Sequence, residues 1–215
     1  VGPDSHVLDI GCGIGWTARH IVSTTGCRAI GVDLVPGYID VARQLTDWTG
    51  LTDRITYEVG SALDLPIADD AVDVATLLHV GMNIEDKEQL CSEVGRVLRP
   101  GGTFGVYDLM RVGDGEVDFP VPWASDSSTS FVADVDTYET ALTAAGLEIL
   151  DIRNRREFAL EFFASLRQRT AELGGPAPLG LHVIIGSAAP DKLANLIGAI
   201  TRGTLALVEI SCRAS

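Results

Sequence analysis

"VLDIGCGIGW" runs from Val7 to Trp16, and its reading decides the fold. Gly11, Gly13 and Gly15 alternate with Cys12 and Ile14, and the apolar run before them carries an acid, Asp9. Glycine serves where the backbone takes positive φ or where another group comes close. Val7 to Ile10 predicts a short buried strand. Thr17 to Thr24, with apolar Ala18, Ile21 and Val22, predicts the helix that follows. A glycine-rich turn between a strand and a helix is the nucleotide-contacting turn of a doubly wound sheet.

The spacing then separates ligands. The dinucleotide fingerprint G-x-G-x-x-G needs glycine at position 16, and Trp16 stands there. Asp9 would repel a buried diphosphate and welcome a cation. S-adenosylmethionine carries a sulfonium, an amino group and no phosphate, so it suits this turn better than NAD. A plain strand-to-helix turn without a ligand is the bland alternative.

Working outward, strands and helices alternate. Arg28 to Leu34 reads as a strand, Pro36 to Thr49 as a helix, Arg54 to Gly60 as a strand and Ala71 to Val80 as a central strand. Ile84 to Leu98 reads as a helix stopped by "RPGG" (Arg99 to Gly102), followed by a strand from Thr103 to Leu109. A loop-rich stretch, Arg111 to Asp134, precedes a helix over Asp136 to Ala145. The rest reads as a strand (Leu147 to Arg153), a long helix (Glu157 to Leu173), a "GGPAP" break, a helix (Asp191 to Thr201) and a last strand (Thr204 to Cys212). The expectation is an α/β fold: a doubly wound, Rossmann-like, mostly parallel seven-stranded sheet with helices on both faces and an antiparallel final strand. All 215 residues form one domain, with a cofactor-binding half (1–109) and a substrate-binding and lid half (110–215).

The net charge of −14 argues against nucleic acid and anionic membrane surfaces as partners. Solubility is its simplest use. Cys12, Cys27, Cys91 and Cys212 lack metal-ligand spacing, so no metal site is signalled, and they read as buried thiols of a reducing, cytoplasmic compartment. No apolar run reaches the roughly 18 residues of a membrane span, and no signal peptide is seen. A homodimer is left open. The first strand starts within a few residues of Val1, so either the fold begins there or an N-terminal segment precedes it in the natural protein.

Asp33 ends the second strand 22 residues after Gly11 (33 − 11), the place of an acid that pairs with both ribose hydroxyls of an adenosine. Its bland reading is a turn cap. "GSALDLP" (Gly60 to Pro66) follows the third strand and should lie beside the adenine, and "LLHV" (Leu77 to Val80) should sit at the methyl end.

From Val7 to about Leu109 the chain resembles the class I S-adenosylmethionine-dependent methyltransferases, through "VLDIGCGIG", "GVDL", "GSALDLP", "VDVATLLHV" and "VLRPGG". "HVGMNIEDK" (His79 to Lys87) and "FPVPWA" (Phe119 to Ala124) look like small-molecule members, including those acting on sarcosine and dimethylglycine. The resemblance implies that Asp9, Gly11, Cys12, Gly13 and Gly15 hold the methionine part and Asp33 the ribose. It also implies that Leu34 packs on the adenine and that Ser61, Ala62 and Leu63 form the adenine loop. Where this chain has Ser61 the family often has Asp. His79 matches the position that contacts the methionine part or the substrate. Family members usually carry helices before the first strand that close over the cofactor, so an N-terminal helical segment is expected to be missing here.

Methyl transfer from a sulfonium is an in-line displacement that asks the protein for alignment in a dry site. The expected reaction is transfer to a small-molecule acceptor, an amine nitrogen first, with O- or C-methylation as the alternative. A module that binds the cofactor without turnover is the reading from another class. His79, with an ordinary pKa near 6.5, is the candidate base; backbone hydrogen bonding is its bland role. Met82, Asn83, Tyr107, Trp123 and His182 are the candidate acceptor contacts, with a core role as the competing reading for the aromatics. Ala177 to Gly186 is expected to act as a lid.

Overall fold

The computed structural model describes residues 1–176, 178 and 180–215. Its strands are β1 (His6–Ile10), β2 (Arg28–Asp33), β3 (Ile55–Val59), β4 (Val72–Leu78), β5 (Leu98–Arg111), β6 (Leu147–Asn154) and β7 (Leu205–Ala214). The helices are α1 (Trp16–Thr25), α2 (Pro36–Trp48), α3 (Lys87–Val97), α4 (Val135–Ala144), α5 (Arg156–Glu172), α6 (Leu181–Ile185) and α7 (Ala189–Arg202). The sheet order is β3-β2-β1-β4-β5-β7-β6. Strands β1 to β5 pair in parallel, and β7 runs antiparallel between β5 and β6. The seven expected strands are all present, and the antiparallel last strand lies inside the sheet rather than at its edge.

Alternation along each strand assigns the helices to faces. Leu8, Ile10, Phe104, Val106, Val208 and Ile210 pack in one core with Leu90 and Val94 of α3 and Tyr138 and Leu142 of α4. Val7 and Ala29 face the other way, onto Ala18 and Val22 of α1 and Ile39 and Ala42 of α2. Leu109 and Leu205 lie on that second face too, against Ala159 and Phe163 of α5 and Ala199 and Ile200 of α7. A two-residue period in the strands and an apolar stripe in each helix suffice for this sandwich.

Boundaries shift where local chemistry overrides periodicity. β4 stops at Leu78 because His79 takes a left-handed conformation, φ 59. A single 3-10 turn, Gly81–Asn83, comes next. Helix α3 therefore starts at Lys87 rather than Ile84, with the Asp86 carboxylate accepting the Gln89 N–H at 2.8 Å as its N-cap. "RPGG" ends the helix as expected, yet it joins β5, since Leu98 already pairs with Val72. Of the expected lid, Ala177 and Leu179 lie outside the described residues; 181–185 form the short helix α6, beside α7.

Candidate active site

The order reverses at β1, whose neighbours are β2 and β4, and a cleft of about 950 Å³ opens at the carboxyl ends of these strands. Gly11 and Gly13 line it after β1, Asp33 and Leu34 after β2, Ser61, Ala62 and Leu63 after β3, and His79 and Asn83 after β4. Chain topology brings these residues together.

The glycine turn is held by β2. Gly11 and Cys12 both donate their N–H to the Val32 carbonyl, at 2.8 and 3.1 Å. Gly13 donates to Asp33 Oδ2 at 2.8 Å, and Val35 donates to Oδ1 at 2.9 Å. Each Asp33 oxygen thus keeps an acceptor site in reserve, and the carboxylate lines the cleft. Leu34 beside it is 70% exposed, an apolar face with no protein partner to hide it. The Ser61 hydroxyl accepts from Leu63 N–H at 3.1 Å and so folds its own loop.

Two glycines answer to packing. A Cβ on Gly11 would collide with Val80, and one on Gly15 with the Tyr57 hydroxyl, both at positive φ. Gly15 is a helix-to-sheet contact and does not line the cleft. Nor does Cys12, which is buried with its thiol pushed up to about 12 by desolvation. Both residues serve the scaffold of the turn, Gly15 by its packing on Tyr57 and Cys12 through its N–H to the Val32 carbonyl.

Asp9 lies beneath the turn, 2% exposed. Its Oδ1 accepts from the Thr76 hydroxyl at 3.2 Å, while Oδ2 has no hydrogen-bond partner. Burial pushes its pKa up to about 7. A nearby cation stabilises the ionised form of such a group and an anion opposes it. The orphaned oxygen, the Asp33 carboxylate and the Leu34 face fit S-adenosylmethionine, with its positive end toward the glycine turn and its adenosine toward β2 and β3. They do not fit a diphosphate.

A second chamber, about 540 Å³, adjoins the cleft. Met82 and Tyr107 line it together with Phe158, Phe162 and Phe163 of α5, Leu196 and Ile200 of α7, and Leu207 of β7. His79 and Trp123 line both cavities. The His79 N–H donates to the Tyr107 carbonyl at 2.8 Å, and the two rings meet edge to face with centroids 5.2 Å apart. The surrounding protein holds the His79 pKa below its ordinary value by disfavouring the imidazolium, so the ring is neutral at pH 7. Trp123 Nε1–H donates to Ser130 Oγ at 3.0 Å, and the Asn195 amide of α7 donates to the Pro120 carbonyl at 2.9 Å, which ties this loop to the helix. Asn83 lines the cleft rather than the chamber.

His182 is not brought to the chamber. It lines a groove among α5, α6 and α7 that shares with the chamber only the wall of Phe163 and Leu193. Residue spacing carries no information on this tertiary placement. Two features escaped sequence reading. The α5 phenylalanines look like ordinary helix core in "EFALEFF". Asp108 in "GVYDLM", an acid inside an apolar strand, was the available signal for the other. Its Oδ2 accepts from the Tyr138 hydroxyl at 3.0 Å and its Oδ1 from Leu109 N–H at 2.9 Å. A Cβ on Gly81 would collide with this pair, and Lys87 bridges the carbonyls of Ile84 and Phe131. This buried cluster seats the Gly81–Asn83 turn between the two cavities. Among the described residues no group of three or more His, Cys, Asp or Glu side chains could hold a metal ion.

The comparisons agree with this geometry. Residues 8–106 match the model of a methyltransferase-domain family. A curated relative, methyltransferase GfsG of Streptomyces halstedii, is 30% identical over 154 residues, 70% of this chain. The chain spans 55% of that relative's length. Among solved structures, geranyl diphosphate C-methyltransferase of Streptomyces coelicolor A3(2) superposes with a TM-score of 0.80 at 20% identity, over 100% of this chain and 75% of that one. A candidate sarcosine dimethylglycine methyltransferase of Galdieria sulphuraria gives 0.78 at 22% identity, over 100% and 80%. These likenesses establish the fold.

Proposed function

We propose that the protein transfers a methyl group from S-adenosylmethionine to a small-molecule acceptor. One observation carries this reading: the cleft at the strand ends, which holds the Asp33 carboxylate, and an apolar chamber meet at His79 and Trp123. A donor site and an acceptor site that share a wall are what an in-line transfer requires.

When bound, the cofactor supplies a methyl group already activated by its sulfonium. The chain supplies the rest. Asp33 accepts the two ribose hydroxyls with its free acceptor sites, Leu34 covers the adenine, and the 61–63 loop flanks it. The turn over Asp9 and Gly11 to Gly13 takes the cationic end. Trp123 and the α5 phenylalanines exclude water from the acceptor, and neutral His79 accepts the proton that the acceptor gives up.

The chamber lining includes no carboxylate among the described residues, so an ammonium group would meet aromatic faces there but no counter-charge. That supports a neutral acceptor, reached by O- or C-methylation, over the amine of the first expectation. The acidic net charge supports a partner other than nucleic acid, and four buried free cysteines support a reducing, cytoplasmic setting. Calorimetric titration with S-adenosylhomocysteine and with NAD tests the reading. Binding of the first is expected; binding of NAD alone would refute it.

A further inference from the structure

The chamber under α5 and α7 states more about the acceptor than its size. Among the described residues, those that line it include no Asp, Glu, Lys or Arg. Its polar side chains are His79, Tyr107 and the Trp123 indole, and the indole N–H is already given to Ser130. Glu209, the cross-strand partner of Tyr107, faces Arg155 at 3.9 Å, and Arg155 also lies over the Phe158 ring, 4.9 Å from its centroid. Neither lines the chamber. A charged ligand would leave water there for no counter-charge. Phe158 and Phe162 remain 51% exposed and belong to one contiguous apolar lining, the kind of surface that marks a ligand-binding groove. They stand beside Phe163, Leu196 and Ile200 and complete an apolar wall that continues into the cofactor cleft through His79 and Trp123.

We infer that the acceptor is an uncharged, predominantly apolar molecule, held along the phenylalanines of α5 with its reacting atom at the His79–Trp123 end. The inference rests on the methyltransferase reading of the joined cavities and narrows it to a substrate class. It makes Phe162 a specificity-determining residue: half-exposed on a helix surface, it shapes the chamber without supporting the core.

The test uses three probes of one shape, para-butylphenol, para-butylbenzylamine and para-butylbenzoate, titrated calorimetrically into the protein saturated with S-adenosylhomocysteine. The neutral phenol is expected to bind at least tenfold more tightly than the ammonium or the carboxylate. Phe162→Asp is expected to weaken the phenol about tenfold and to narrow or reverse the gap to the ammonium, with S-adenosylhomocysteine affinity within threefold of the parent. Phe162→Leu, which keeps the wall apolar, should retain the parent ranking. A charged probe that binds as well as the phenol, no phenol binding, or an unchanged gap between phenol and ammonium in Phe162→Asp would overturn the inference. Failure of S-adenosylhomocysteine itself to bind would instead overturn the methyltransferase reading, so the two failures are distinguishable.

Discussion

Asp33→Ala is the most informative single change. In the structure the carboxylate accepts one backbone N–H on each oxygen, from Gly13 at 2.8 Å and from Val35 at 2.9 Å. It therefore has two jobs, and the variant loses both. Hydrogen bonds to a charged group contribute about 1.5–3 kcal/mol each. Two ribose hydroxyls in an open cleft, where water replaces the lost acceptor in part, put the binding loss near the low end of the sum, about 3 kcal/mol. That corresponds to roughly a 150-fold rise in Kd for S-adenosylhomocysteine. The freed N–H groups lie where water reaches them, so stability should drop by only about 1 kcal/mol. Calorimetric titration well below the melting temperature gives the first number, and urea denaturation gives the second. A Kd within threefold of the parent, with stability alone reduced, would refute the reasoning and leave Asp33 as a tie between the glycine turn and α2.

Other outcomes follow from the same geometry. His79→Asn, chosen because asparagine tolerates the left-handed backbone at φ 59, should lower kcat about 100-fold. Burial sets the parent pKa below 6.5, so the parent rate should fall only as pH drops below that pKa, and the variant's profile should lose this acid limb. Asp9 behaves in the opposite sense: its folded pKa, about 7, lies above the ordinary 3.8, so its contribution to stability is complete below pH 3.8 and is lost as pH rises to about 7. The stability difference between the parent and Asp9→Asn, followed by denaturation from pH 4 to 8, should decline over that window and level off beyond it. Gly15→Ala should destabilise the fold by about 2 kcal/mol, through positive φ and collision with Tyr57, and Tyr57→Phe should relieve part of it in the double variant. Thermal melts of the three variants check this.

The sequence exposes what depends on the chain near itself. A strand, a glycine turn and an acid 22 residues on, Asp33, are local in sequence and specific in spacing, so the donor half was legible. Spacing does not say what fills the space behind a glycine. The packing of Tyr57, 42 residues away, against Gly15 is of this kind. The acceptor half is assembled from the 3-10 turn, β5, the Trp123 loop, α5 and α7, and no short pattern announces such a meeting. The places of His182 and the α5 phenylalanines are hidden for that one reason: which side of a helix faces a cavity is settled by packing between elements far apart in the chain. Asp108 could have been noticed, since an acid inside an apolar strand requires a partner.

Trp123 gives the molecule a built-in optical reporter. Trp16 and Trp48 are largely exposed, at 66% and 70%, and stand on α1 and α2; neither lines the cleft or the chamber. The third indole forms part of the partition between the cleft and the chamber, so its emission should respond to the filling of either. The same shared wall makes the two ligands thermodynamically answerable to each other: whatever shift of Trp123 one of them induces alters the other's affinity, and by the same factor in both directions.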